Sequence, residues 1–304
     1  MDKGFIEEHR AYTAIVSEKC KYGVFHKTCF HLHTPESHDF QLFENWSMRT
    51  YKEKTAQEIY DICCERKVFP PIFAFDDLDG DLLQGFSDRK QLLSFLLLAD
   101  SILNNEISMV IVTDHHTIAG IPKLKKTIEY LHPLKPRKVF PEILLGIEVS
   151  CADKHHVVGI FEDSHTSKEK IETWLDEHLL NLEDGSFETS REVLKFVYSI
   201  KGVGYISHLD TANTFSEKSL SGAYKTKLFS EISIIGISDI NQINYIRSKI
   251  REHTKNAVNF LIDNDSHAID TLGQKHIWIK CFRRVPTPQT GRRALSPNRR
   301  EQCP

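Results

Sequence analysis

The chain has 304 residues, of which 40% are hydrophobic and 27% charged, so it can bury a globular core of ordinary size. A formal net charge of −3 excludes a uniformly basic surface of the kind that binds nucleic acid. Its 7 cysteines are odd in number and include no Cys-x-x-Cys pair, which argues against disulfides and thiolate zinc sites. The polar start and the short apolar runs predict a reduced, cytoplasmic protein without a membrane anchor.

Short runs rich in Val and Ile predict eight β-strands, and amphipathic stretches between them predict helices. The strands are expected at 27–33, 108–115, 142–150, 155–161, 202–208, 232–238, 257–263 and 276–280. The helices are expected at 55–67, 88–105, 119–131, 167–180, 190–200 and 240–253, with Ser167 and Ser190 as candidate N-caps. This alternation predicts parallel strands with helical crossovers. One unbroken series of seven or eight strands favours a closed α/β barrel, and an open doubly wound sheet is the alternative.

Two segments depart from this alternation. Residues 68–87 are acidic and contain Pro and Gly, which is typical of an insertion or a lid. Residues 281–304 contain six Arg and one Glu and have no apolar periodicity. This composition predicts a disordered basic tail, with a basic arm or an out-of-frame terminus as alternatives. The predicted organisation is an N-terminal extension over 1–26, one folded domain over 27–280 and the tail over 281–304.

Histidine and acidic residues recur where the predicted strands end. They are His31 and His33, Asp114 and His115, Glu148, His208, and Asp265 with His267. In a parallel barrel these ends open on one face, so the side chains are expected to converge. His156 instead begins its strand, but the short connection after the third strand fits a hairpin that returns it beside Glu148. The neighbouring His26, His38, His116 and His155 are expected to be solvated. Replacement of His116 by Ala is expected to change metal content and activity little compared with Glu148→Ala.

Imidazole and carboxylate ligands without thiolate suit Zn, Mn or Fe and disfavour Ca. The donors outnumber those of one tetrahedral site, so two or three divalent ions are expected, with a carboxylate such as Glu148 bridging two of them. Closely spaced ions favour phosphate-ester hydrolysis, because one provides hydroxide near neutral pH and together they stabilise the attacking and leaving oxygens. Each motif alone is weak, since a single Asp-His after a strand is often structural. The common register of the strand ends makes a metal site the favoured interpretation.

The ordered motifs FHLHT…S.D, TDHH…G, GIEVS, H.VGI, YISH and DNDSH closely resemble the PHP (polymerase and histidinol phosphatase) superfamily over residues 27–270. The resemblance implies a distorted seven-stranded (β/α)7 TIM-like barrel with a trinuclear metal centre. It also implies the ligand set, in which Glu148 bridges and Asp114 and Ser266 orient the ligands. That set is His31, His33, Asp39, His115, Glu148, His156, His208, Asp265 and His267.

One branch of this superfamily is most similar. Its PHP domains are fused to an SMC-like ATPase in bacterial anti-phage proteins, but this chain contains no G-x-x-x-x-G-K-[ST] loop. An ATPase partner is therefore expected only if the chain is a truncated or split member.

The expected function is divalent-metal-dependent hydrolysis of phosphate esters by a metal-bound hydroxide, on nucleic acid (DNA or RNA) or nucleotides. Glu148, His208 and Asp265 are the expected catalytic residues. One alternative is a small-molecule phosphatase of the histidinol-phosphate type. Another is a non-catalytic, metal-stabilised regulatory module or a truncated remnant.

Overall fold

The computed structural model of the chain describes residues 24–69, 74–135, 138–212, 214–215, 220–263, 265–274 and 276–281. Phe25–Ile279 form one compact unit. Of the second unit, which comprises Met1–Val24 and Lys280–Pro304, the structure describes Val24, Lys280 and Cys281. The predicted extension and tail therefore lie outside the described residues except at their inner ends.

Ten strands and eight α-helices follow one another along the described chain. The strands are β1 Val24–Leu32, β2 Met109–Val112, β3 Glu142–Ser150, β4 His156–Phe161, β5 Leu179–Asn181, β6 Gly185–Ser186, β7 Val203–Ile206, β8 Ile234–Ile237, β9 Asn259–Ile262 and β10 Ile277–Cys281. The helices are α1 Met48–Glu53, α2 Ala56–Glu65, α3 Arg89–Asn104, α4 Gly120–Leu131, α5 His165–His178, α6 Ser190–Ser199, α7 Gly222–Glu231 and α8 Ile243–Arg251.

Eight of the strands form one curved sheet in the order β10-β1-β2-β3-β4-β7-β8-β9. The neighbours are parallel from β1 to β3 and again from β7 to β9, whereas β4 is antiparallel to both β3 and β7. After β9, the main chain of Ser266 pairs with His31 and His33 at N–O distances of 3.1 and 3.0 Å. This pairing brings the sheet almost to closure, so the predicted α/β barrel is confirmed and the open sheet is wrong.

The predicted hairpin between the third and fourth strands is also confirmed, and it pairs Ser150 with His156. The predicted N-caps are wrong. Helix α5 begins two residues earlier than expected, so Ser164 rather than Ser167 accepts a hydrogen bond from the first turn. Thr189, not Ser190, plays the same part for α6. The sequence interpretation also missed α1, α7 and the β5–β6 hairpin.

The core lies between the sheet and the surrounding helices. Helix α3 is buried over most of its length, with Phe95 fully enclosed. The described part of the 68–87 segment is attached to helices, because Arg89 pairs with Asp79 and Lys126 donates to the carbonyls of Asp81 and Gln84. None of the helices in the described part of the chain combines the length and hydrophobicity that a membrane crossing requires.

A buried polar network ties the β3–β4 hairpin to two helices. The Asp153 carboxylate accepts hydrogen bonds from Tyr224 Oη at 2.6 Å and from Ser190 Oγ at 2.7 Å, and it lies 3.2 Å from His155 Nδ1. Burial alone would raise the pKa of Asp153, but His155 and Tyr224 outweigh it and lower the pKa to about 2. The charged carboxylate therefore stabilises the fold above its ordinary pKa, and that contribution is lost as the pH falls towards 2.

We predict that Asp153→Asn lowers the free energy of unfolding at pH 7 by about 1–3 kcal/mol, because a buried hydrogen-bonded charge is removed. Urea unfolding measures the effect, and the difference from the wild type should narrow below about pH 4 as the wild-type carboxylate is protonated. The exposed Asp176, changed to Asn, is the control. Equal unfolding midpoints for the two variants at pH 7 would show that the network does not stabilise the hairpin.

Candidate metal centre

All nine side chains proposed from the sequence lie around one opening, at the end of the barrel where the parallel strands finish. Three overlapping groups of them have ligand atoms within 4.8 Å of one another, and the ninth, His208, lies beside Glu148. The groups are His33, Asp39, His115 and His267; His31, His33, Glu148 and Asp265; and His115, Glu148 and His156. The spacing and composition of these groups are those of a site for divalent cations.

Glu148 lies at the centre of this cluster and is fully buried. Its Oε2 atom is 2.8 Å from His31 Nε2, 3.1 Å from His33 Nε2 and 3.4 Å from His115 Nε2. Strand β3 places the carboxylate here because the main chain of His115 pairs with that of Glu148 at the end of β2. Three imidazoles from two neighbouring strand ends therefore meet one carboxylate oxygen.

The other carboxylate oxygen of Glu148 faces a second set of side chains. Oε1 lies 3.1 Å from His156 Nδ1 and 3.3 Å from His208 Nε2, and it accepts a hydrogen bond of 2.8 Å from Ser207 Oγ. The predicted proximity of His156 and Glu148 is thus confirmed. Imidazole nitrogens therefore surround both oxygens of this carboxylate.

A second carboxylate group lies on the more open side. Asp39 Oδ2 is 2.7 Å from His267 Nε2 and 3.3 Å from His115 Nε2, and the rings of His33 and His267 stack with centroids 4.0 Å apart. Asp265 Oδ1 lies 3.4 Å from His33 Nε2 and is buried without a hydrogen-bond partner. An orphaned buried carboxylate oxygen among imidazoles is costly for the protein alone, and a cation would satisfy it.

Burial and the neighbouring carboxylates and imidazoles shift the pKa values of the groups in this cluster. Burial would raise the pKa of Glu148, but the surrounding histidines hold it well below its ordinary value. Burial lowers the pKa of His33, yet Asp265 and Glu148 outweigh it and raise the pKa to about 10. For His115 burial dominates and lowers the pKa to about 4, so its ring is neutral at pH 7, the form that binds metals. The carboxylates thus attract either protons or cations into the cluster.

Hydrogen bonds behind the cluster orient its members. Asp263 Oδ1 lies 2.6 Å from His31 Nδ1, which leaves the lone pair of His31 Nε2 directed at the cluster when Nδ1 carries the proton. Ser37 Oγ lies 3.0 Å from His33 Nδ1 and donates to Asp39 at 2.8 Å. Carboxylate–histidine pairs of this kind are typical of metal sites in proteins.

Asp114 and Ser266, the two residues expected to orient ligands, form hydrogen bonds mainly with or through the main chain. Asp114 accepts hydrogen bonds from the N–H and the hydroxyl of Thr34, at 2.5 and 2.7 Å, and so fixes the loop directly after His33. A Cβ atom on Gly120 would lie 2.1 Å from the Asp114 carboxylate, so only glycine fits there. Ser266 pairs through its main chain with His31 and His33.

The sequence interpretation missed three hydrogen-bonding partners and misjudged three histidines. Asp263, Ser207 and Ser37 were not singled out, although the first ends a predicted strand and the second precedes His208. His26, His116 and His155 are buried rather than solvated. His116 Nδ1 lies 2.9 Å from the Leu182 carbonyl, and its Nε2 accepts a 2.9 Å hydrogen bond from Ser150 N–H. These two hydrogen bonds give His116 a structural role, so we expect its replacement to affect the stability of the fold.

Two members of the cluster have unusual backbone conformations. His208 has φ 32° and Asp265 has φ 43°, both in the left-handed region that non-glycine residues avoid. Such strain persists where surrounding contacts over-determine a conformation, and it concentrates at functional sites. The strained pair therefore adds to the indication that this opening is the functional site.

No family model matches the chain. An uncharacterized protein of Streptococcus pneumoniae serotype 4 (strain ATCC BAA-334 / TIGR4) is 40% identical over 225 residues, which cover 72% of this chain and 85% of the relative. The chain belongs to the same family as that protein.

Solved structures give weaker similarities. A lesion-specific endonuclease from Pyrococcus furiosus has a TM-score of 0.45 at 14% identity, over 82% of this chain and 50% of its own. A proposed metal-dependent phosphoesterase from Bifidobacterium adolescentis has a TM-score of 0.41 at 11% identity, over 79% of this chain and 87% of its own. Endonuclease Q, solved with a duplex carrying an abasic lesion, has a TM-score of 0.37 at 16% identity, over 57% of this chain and 44% of its own. At these scores the similarities assign neither a role to a residue nor a substrate to the chain.

We predict that His116→Ala lowers the free energy of unfolding by about 1–3 kcal/mol, because the Ser150 N–H and the Leu182 carbonyl lose their partner. Urea unfolding measures the change. His165→Ala is the matched control, since the His165 side chain is 94% exposed. An unchanged midpoint for His116→Ala would show that these hydrogen bonds do not stabilise the fold.

Proposed function

We propose that the protein is a divalent-metal-dependent hydrolase of phosphate esters. The observation that carries this proposal is the Glu148 carboxylate, buried between histidine nitrogens on both of its oxygens. Divalent ions bound here would supply a hydroxide nucleophile near neutral pH and stabilise the charge on phosphoryl oxygens. The oxygen and imidazole donors suit Zn, Mn or Fe. Four carboxylates surround the site, and two divalent ions would balance their charge. They are Asp39, Glu148, Asp263 and Asp265.

The exposure of the side chains suggests which of them would hold the ions and which would contact the substrate. Glu148, His31 and His33 are fully buried and would hold the ions. His208 and Asp265 have 17% and 33% of their side chains exposed and would face the substrate. Asp263 would keep Nε2 of His31 unprotonated, and Ser207 would fix the orientation of the Glu148 carboxylate.

The substrate class has two candidates. Nucleic acid or nucleotides are suggested by the sequence resemblance and by the basic composition of residues 281–304. The resemblance adds an ATPase partner only for a truncated or split family member. A small phosphate monoester is favoured by the cavity beside Asp265 and His267, whose described lining contains no Lys or Arg. Binding a polynucleotide normally requires several cationic contacts to phosphates.

Purified protein, loaded separately with Mn, Zn, Fe or Mg, tests the activity. Labelled single- and double-stranded DNA and RNA, nucleotides, and small monoesters are assayed in parallel, with elemental analysis of the same samples. We expect phosphoester hydrolysis that depends on the metal and is abolished by a chelator. Bound metal without turnover of any ester in this panel would favour the non-catalytic alternative.

We predict that Glu148→Gln removes at least one ion per chain and lowers activity by at least about 100-fold, because the shared ligand loses its charge. Elemental analysis and steady-state kinetics measure the two effects. Glu162→Gln, at an exposed glutamate beyond strand β4, is the control and should retain wild-type metal content. A full complement of metal in Glu148→Gln would show that this carboxylate does not bridge ions.

A further inference from the structure

A cavity of about 340 Å³ adjoins the candidate metal centre. Asp265 and His267 belong to both, so a phosphoryl group bound at the centre would extend directly into this cavity. Its size lies at the lower end of the range for small-ligand pockets. The far wall contains the polar side chains of Gln41, Glu44, Thr271 and Gln274.

Hydrogen bonds from main-chain N–H groups hold together the two chain segments that line the cavity, 41–44 and 265–274. Gln41 N–H donates to the His267 carbonyl at 3.1 Å, and Ile269 N–H donates to the Leu42 carbonyl at 2.9 Å. Glu44 N–H donates to Asp270 Oδ1 at 2.9 Å. The cavity is therefore formed before any ligand binds, which lowers the ordering cost of recognition.

The far wall contains hydrogen-bond acceptors as well as the amide N–H groups of Gln41 and Gln274. Thr271 Oγ1 donates to the Ala268 carbonyl at 2.7 Å, so its lone pairs remain available. Gln274 Nε2 donates to the Asp270 carbonyl at 3.0 Å, which leaves its Oε1 as an acceptor. Glu44 adds an exposed carboxylate. A ligand that matches these groups carries hydroxyl or amine donors.

The charge of the cavity restricts the ligand further. The residues that the structure describes in its lining include two acids, Glu44 and Asp265, and no Lys or Arg. A hollow with three cations, Arg247, Arg251 and Lys255, lies instead where β9 begins, at the opposite end of the barrel. Once Asp265 is compensated by a cation, Glu44 is the remaining acid of the described lining, so a second phosphate or a carboxylate bound beside it would meet a like charge.

We propose that this cavity binds the alcohol portion of a phosphate monoester, and that Glu44 selects neutral or cationic alcohols with several hydrogen-bond donors over anionic ones. The proposal rests on the proposed phosphoesterase function and names its substrate class. Glu44 is then a specificity-determining residue that contacts substrate and takes no part in bond cleavage.

The test compares wild type with Glu44→Lys, using metal-loaded protein and three monoesters of similar size. Glycerol phosphate has a neutral alcohol, phosphoethanolamine a cationic one and 3-phosphoglycerate an anionic one. We expect wild type to prefer the first two. Glu44→Lys should raise kcat/KM for 3-phosphoglycerate relative to glycerol phosphate by about tenfold, less at high salt. Glu172→Lys changes the net charge equally on an exposed face of helix α5 and is the control.

Ligand-induced thermal stabilisation with the same three compounds gives a readout that does not require turnover. Equal ligand preferences for wild type and Glu44→Lys, in both kinetics and thermal shift, would overturn the assignment of the cavity. Failure of the phosphoesterase proposal looks different: metal-loaded wild type would hydrolyse neither these monoesters nor p-nitrophenyl phosphate nor oligonucleotides. In that case a shift of binding preference in Glu44→Lys still supports the cavity as a ligand site.

Discussion

The burial of one carboxylate constrains the whole open end of the barrel. Ionised Glu148 has no contact with water, and an isolated buried charge would cost several kcal/mol. Five imidazoles, which lie at the ends of four different strands, compensate the charge of this carboxylate. The strands must approach closely for this to happen. Gly146, two residues before Glu148, shows how closely, since a Cβ atom there would lie 2.7 Å from the Val112 carbonyl of the neighbouring strand.

Asp263 couples the buried side of the cluster to its exposed side. One of its oxygens lies 2.6 Å from His31 Nδ1, and the other accepts a 3.0 Å hydrogen bond from the N–H of His208. The second contact helps to hold His208 in its left-handed conformation, together with the hydrogen bond from Leu209 N–H to the Gly236 carbonyl. The side chain that orients the buried His31 therefore also fixes the backbone of the more exposed His208.

The strand ends and most of the cluster could be predicted from sequence because they follow from simple periodicity, whereas Asp39 was indicated by the family resemblance alone. Apolar runs locate the strands, and the parallel arrangement forces the residues after them to one face, which is why Glu148, His208 and Asp265 meet. The orienting contacts of Asp263, Ser207 and Ser37 depend on side-chain direction, which periodicity does not encode. The burial of His116 depends on the β5–β6 hairpin, which lacks a strong alternating pattern. The N-caps were misplaced because neighbouring Ser and Thr residues compete for the same role.

The charge at the opening decides how an anionic substrate could be attracted. The described loop segments that follow the strand ends are 33–47, 113–119, 151–155, 207–212, 238–242, 263 and 265–274, and their sequences contain no Arg and one Lys, Lys154. Acidic side chains therefore outnumber Lys and Arg at this face, and an excess of carboxylates repels phosphate esters. Cations bound among the carboxylates would reverse that repulsion locally. Substrate affinity, and not only turnover, would then depend on metal occupancy, so the same ions would bind the phosphoryl group and select where on the barrel it binds.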